Sequence, residues 1–252
     1  MACARSGASF ALSLTMTKIF LNLLIISVLG LFAVPSFAGG DYFDAQKDDL
    51  MPAKVDELHP TQGYVGYIEV KPKAKELKKM SKSERKEFLR KNPIPVVVGP
   101  GGDIYPIDHH HLARAVSDSG HQKIFIKIVE NKSALTEAEF WAWMKEKQYV
   151  DLIDDNGNKI EVADLPRFIE EMRDDPYRSL AGAVREQGGF KKDMTPFAEF
   201  KWALFFRQYF SRESLDSNFD KVVKAAVKLA KSQAAQGLPG YIGIHGSCHS
   251  VF

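Results

Sequence analysis

Asp108, His109, His110 and His111 stand together between a short apolar run, Ile104-Tyr105-Pro106-Ile107, and an amphipathic stretch that carries Arg114. At a helix start this combination suits an anion. The first-turn N–H groups have no intrahelical partner, and the helix dipole favours negative charge there. Imidazole titrates near neutral pH, so one of His109, His110 and His111 would serve as general acid or base. Arg114, one turn or more further on, would neutralise phosphoryl oxygens. The ligand expected from these residues bears phosphate. A plainer arrangement uses the same residues: Asp108 as N-cap, one structural histidine and two solvated ones. Adjacent histidines diverge around a helix, so no metal site is assigned. Glu69, Asp108 and Asp175 are the carboxylates that would orient an imidazole or hold a divalent ion, the one cofactor class in view.

Three further features carry potential chemistry. Asp174-Asp175-Pro176-Tyr177-Arg178-Ser179 offers Arg178 as a second phosphate-binding cation, with Asp175 as an alternative helix cap. Lys71 to Lys91 holds ten Lys/Arg against Glu76, Glu84 and Glu87, a charge run that suits either a solvated helix or steering of a polyanion. His245-Gly246-Ser247-Cys248-His249 brings three potential metal ligands together, but in a Gly/Ser-rich tail.

The elements expected to position these residues divide the chain. Residues 39–62 are turn-rich and read as an extended lead-in. Tyr64 to Val70 has strand character, and Lys73 to Arg90 reads as one surface helix. Pro95–Val98 and Ile104–Ile107 flank a Gly99–Asp103 turn and read as a hairpin. A helix from Asp108 to about Ser117 and a strand at Lys123–Val129 complete a sheet half over 63–132. Residues 133–236 read as helical: Thr136–Lys147 with a capping box, then helices near Leu165–Met172, Pro176–Val184, Thr195–Phe210 and Asn218–Ala235, with Gly237 as a C-cap. Residues 237–252 read as a flexible tail. The class is α+β, a small mixed sheet followed by a helical half.

The N-terminus reads as a signal peptide over residues 1–38. Lys18 precedes an apolar run from Ile19 to Val34, and Ser36 and Ala38 supply the small residues before a cut. An exported protein, periplasmic or secreted, is expected, with no stable membrane span once the leader is gone. Removing 1–38 takes away Arg5 and Lys18 and no acid, so 34 basic residues fall into balance with 32 acidic ones. Nucleic-acid binding through overall charge is thereby excluded. Cys3 leaves too, so Cys248 cannot form an internal disulfide. With 252 residues, 45% of them hydrophobic, a core rather than cross-links must hold the fold, and a disordered or fibrous chain is excluded.

Several separated segments, in order, resemble the ParB-like nuclease family of the ParB/sulfiredoxin superfamily. They are Pro60-Thr61-Gln62, Val65-Gly66, Glu69-Val70, Ile94–Val98, Gly102, Asp108–Ala115, Phe140-Trp141, Asp174–Gly182, Arg185 and Glu199–Ala203. The resemblance spans about residues 58–210. It implies a small mixed sheet with a phosphate-binding turn leading into a helix, the helical half being the family's own extension. Superfamily members bind nucleotides or act on phosphates through an Asp-Gly-x-His-Arg turn. Asp108 matches the Asp, His109 takes the Gly position, His111 matches the His, and Leu112 stands where the Arg would be. Sulfiredoxin's cysteine would fall at His110, so sulfinate reduction is not implied. The expected activity is phosphodiester hydrolysis on a nucleotide or nucleic acid. The alternative is a non-catalytic nucleotide- or polyanion-binding protein of the same fold.

Overall fold

The structure, a computed structural model, describes residues 42–243. The expected leader, its cleavage point near Gly39 and the end of the tail with His245, Cys248 and His249 lie outside the described residues. In order the elements are β1 (Leu50–Lys54), β2 (Tyr64–Val65), α1 (Tyr67–Lys79), α2 (Lys82–Lys91), β3 (Ile94–Val98), β4 (Ile104–Pro106), α3 (His110–Asp118), β5 (Lys123–Asn131), α4 (Glu137–Glu146), β6 (Arg173–Asp174), α5 (Pro176–Glu186), α6 (Ala198–Arg207) and α7 (Arg212–Ala230).

The main sheet runs β1-β5-β3-β4, with β5 and β3 parallel and both outer pairs antiparallel. This is the small mixed sheet expected of an α+β chain, followed by helices. Alternation places Ile124, Ile126 and Ile128 of β5 inward. The central strand β3 is apolar on both faces and is covered on both. Val96 and Val98 join α1 and α3 in one core, whereas Val97 packs with Tyr105, Phe140 and Met144 under α4. A third core fills the space between α5, α6 and α7 around Trp202. Its indole stacks on Phe190 at 4.2 Å and donates to Pro239 O at 2.8 Å, which satisfies the one polar atom of a fully buried ring.

Several expectations change. Leu50–Lys54, inside the expected lead-in, is an edge strand of the main sheet. Strand character in Tyr64–Val70 ends at Val65. From Tyr67 the chain is helical, because Val70, Ala74 and Leu77 recur at helical spacing and all become buried. The expected single helix over 73–90 is two, since Ser81 accepts from Glu84 N–H and opens a new helix with a capping box. Leu165–Met172 forms only a short 3-10 turn at Ile169–Glu171, preceded by Pro166. Arg173–Asp174 then pairs parallel with β2, a long-range contact that local patterning does not reveal. The helix expected from Asn218 starts at Arg212, capped by Ser211, kinks at Asn218 and ends at Ala230, so Gly237 follows a later 3-10 turn. The β3–β4 hairpin and the Thr136 capping box stand where expected.

Candidate functional site

The start of α3 differs from a helix capped by Asp108. The N-cap position belongs to His109, which sits in the left-handed region at φ 61°. Asp108 accepts the His109 N–H at 2.6 Å and holds that turn instead of capping the helix. The left-handed region favours glycine, which gives a physical reason for Gly at this position in related turns. His109 is exposed and reaches Pro93 O through Nδ1 at 2.9 Å. The three histidines therefore point three ways.

His110 is buried. Thr61 N–H lies 3.4 Å from its Nε2, and Thr61 Oγ1 lies 3.3 Å away while donating to Pro106 O at 2.6 Å. His111 is half-buried and accepts the Gly66 N–H on Nε2 at 3.0 Å. Burial, with Arg178 nearby, pushes both imidazoles down to about 3. Both are neutral at pH 7, and the Nε2 lone pair of His111 is occupied by a backbone amide. Neither is free in this arrangement to act as a general acid at neutral pH, which departs from the role expected of them. Their contribution is as neutral hydrogen-bonding groups.

That burial has a measurable consequence. The histidines ionise near 6.5 when unfolded and about 3 when folded, so the unfolded chain takes up protons first as pH falls. Their contribution is complete above pH 6.5 and is lost progressively towards pH 3. Asp151 works in the opposite direction between 3.8 and about 6, because the folded state binds its proton more tightly. We expect the thermal midpoint to drop steeply between pH 7 and 4 and His110→Gln to flatten that drop. Parallel curves for the two proteins would show that His110 is not the source.

The centre of the site is Arg178. It enters on α5, which Asp175 caps by accepting the Tyr177 N–H at 3.0 Å. The guanidinium is 7% exposed and lies against the face of Phe200, 3.3 Å from the ring centroid. Asp151, Asp175, Glu69 and Asp108 surround it and favour its charge, yet burial outweighs them and lowers it to about 10. None of these carboxylates is within ion-pair distance, and among the described residues Arg178 Nε has no hydrogen-bond partner. Asp175 is instead committed to Arg207, 2.8 Å away. Glu69, raised by burial, also leaves a buried Oε1 without a partner among the described residues.

Close helix packing assembles this cluster. A Cβ on Gly66 would lie 2.7 Å from Ser179 N and 2.5 Å from its Oγ, so only glycine lets the β2–α1 corner meet α5. Ser179 Oγ accepts the Ile68 N–H at 3.3 Å across that contact. Asp151 arrives from the segment after α4, anchored by its N–H to Thr61 O at 2.8 Å. Burial raises its carboxyl to about 6, with Arg178 opposing the rise. Asp151, Arg178, Asp175, Tyr64, Phe200 and Arg207 line a void of about 30 Å³. A water needs roughly 10–15 Å³ of such space, so one fits.

The structure brings His110, His111 and Arg178 together and leaves out Arg114. Arg114 pairs with Asp118 at 2.8 Å, donates to Met172 O and lies over the Tyr67 ring. One donor is engaged within α3 and another with the segment before β6, while the guanidinium packs on Tyr67 of α1, which removes the reason to expect it at a phosphate. Asp151 was not among the expected residues. Its signal is faint: an acid inside the apolar run Tyr149-Val150-Asp151-Leu152-Ile153. Phe200 is the face that covers Arg178. Among the described residues no group of three or more His, Cys, Asp or Glu could hold a metal ion.

Residues 51–208, which contain every side chain of this cluster, match the family described as "Putative ParB-like nuclease". The chain belongs to the ParB-like nuclease family. The chain is also similar to the crystal structure of protein Atu1540 from Agrobacterium tumefaciens, with 39% identity and a TM-score of 0.71. That likeness covers 78% of this chain and 99% of Atu1540. No curated protein matches. The family match takes in the sheet, the α3 turn, α5 and α6, and stops before α7.

Proposed function

We propose that this ParB-like protein binds a phosphate-bearing ligand at Arg178 and hydrolyses a phosphodiester bond there, outside the cytosol if residues 1–38 are the leader their pattern suggests. The observation that carries the reading is a buried guanidinium that has no ion-pair partner among the described residues. A buried charge is costly unless paired, and an anion is the partner Arg178 lacks. The free amides at the start of α3 and the neutral histidines supply further donors to phosphoryl oxygens. In the hydrolytic step water attacks phosphorus, its proton passes to the Asp151 carboxylate, and Arg178 neutralises the oxygens that gain charge. The P–O bond to the leaving oxygen breaks, and that oxygen takes a proton from solvent.

A second reading, binding without hydrolysis, is favoured by Leu112. It stands where the related turn carries arginine, and it is buried in the core. Two measurements separate the readings. Inorganic phosphate at 100 times its Kd should stabilise the fold by about 2.7 kcal/mol. The chain should also release product from a simple aryl phosphodiester and nick plasmid DNA. Stabilisation without hydrolysis selects the binding protein, and absence of both rejects the site.

A further inference from the structure

A second concave surface lies at the opposite end of α3. Between α2, β1 and the α3–β5 turn is a cleft of about 950 Å³. Its floor is apolar, with Ala53, Leu89 and Ile124 buried beneath a half-exposed Phe125. Its rim carries Lys54, Lys82, Arg85, Lys86 and Lys123. The only acid lining it among the described residues, Glu57, is already bound to the Tyr42 hydroxyl and the Lys54 N–H. Among the described residues none of the five rim cations has an ion-pair partner. Elsewhere Lys47, Lys91, Lys127 and Lys132 each have one. The cleft also contains His121, whose buried Nε2 has no partner among the described residues.

We infer that this cleft holds single-stranded nucleic acid, with phosphates on the lysine rim and bases against the apolar floor. The inference rests on the phosphodiester reading above and names how a polymeric substrate is held. A positively charged groove with an aromatic surface is what sequence-independent single-strand binding requires. The recessed floor excludes a flat bilayer, and an acidic peptide would leave that floor uncovered. His121 offers a polar atom to a base edge. The nine residues of α3 separate the cleft from His110 and His111 by about 14 Å, a span of a few nucleotides.

The test is the anisotropy of a fluorescein-labelled 12-nucleotide oligothymidylate. With five phosphate contacts the logarithm of affinity should fall against the logarithm of salt with a slope near −3.5, at about 0.7 per contact. Lys82→Glu/Arg85→Glu/Lys86→Glu should weaken binding about tenfold or more and flatten the slope by about 2. Lys54→Glu/Lys123→Glu, on the other wall, should act in the same direction. Lys221→Glu/Lys224→Glu/Lys228→Glu on the exposed face of α7 should change neither quantity. Equal losses in all three variants, or none in the first two, overturns the inference. So does equal displacement of the oligonucleotide by polyglutamate or by phosphatidylserine vesicles. Arg178→Met separates the two claims. If it abolishes inorganic phosphate binding and the cleft variants leave oligonucleotide binding intact, the cleft fails and the Arg178 site stands. If phosphate binding survives Arg178→Met while the cleft variants lose the oligonucleotide, the Arg178 site fails and the cleft stands.

Discussion

Arg178→Met is expected to abolish phosphate binding while leaving the thermal midpoint unchanged or higher. The two halves of this expectation have separate causes. A charge-assisted hydrogen bond contributes roughly 1.5–3 kcal/mol, so two from one guanidinium correspond to about a hundred- to ten-thousand-fold in affinity. Stability should not fall in parallel, because among the described residues Arg178 makes no ion pair that its removal would break. Replacing a buried charge with an apolar side chain of similar length is often neutral or stabilising, and methionine keeps contact with Phe200. Glu69 and Asp151 would lose a favourable neighbour, but protonation can relieve both, since burial already raises them. Thermal unfolding with and without phosphate, together with calorimetric titration, measures both halves. A variant that unfolds early and still binds phosphate would make Arg178 a structural residue.

Asp151→Asn is expected to lower phosphodiester hydrolysis about a hundred- to ten-thousand-fold, the usual range for removing a general base. Phosphate affinity should stay the same or rise, because a negative charge beside the anion is gone. The wild-type rate should climb with pH through the titration of Asp151 near 6 and then level off, since the carboxylate is the active form. The groups facing that carboxylate are Arg178, which lowers its pKa, and Asp175, which raises it. The asparagine variant should lose the rise. Asparagine resembles the protonated acid that burial prefers, so stability at pH 7 should be kept. Wild-type activity with a flat profile from pH 5 to 8 would remove Asp151 from the reaction.

These two side chains show how much of the site was legible. Arg178 was visible as a candidate because it lies beside a capping aspartate at a helix start, a local pattern. That it would be the centre was not visible. Its burial depends on Phe200, and its lack of an ion pair among the described residues depends on Asp175 turning to Arg207, 32 residues away. Arg114 shows the reverse case. Its position after the histidine turn suggested a ligand contact, but Met172, 58 residues away, accepts from its guanidinium. Asp151 was illegible because a single acid in an apolar run carries no periodic signal. Only its tether to Thr61 reveals where it goes.

The sequence alone determined the class of fold, the hairpin, the Thr136 cap and the family, because these rest on alternation, turn chemistry and motifs within a few residues of one another. It also located the α3 turn, since a histidine run after a short strand is a local event. Tertiary structure decided what that turn can do. The hydroxyl of Thr61 and the amide of Gly66 reach His110 and His111 from one distant segment, and the charge of Arg178 acts on both from another. Burial there keeps the imidazoles neutral and moves the ionisable group near neutral pH onto Asp151. Desolvation and charge pairing are properties of assembled neighbours, and no window of sequence contains them.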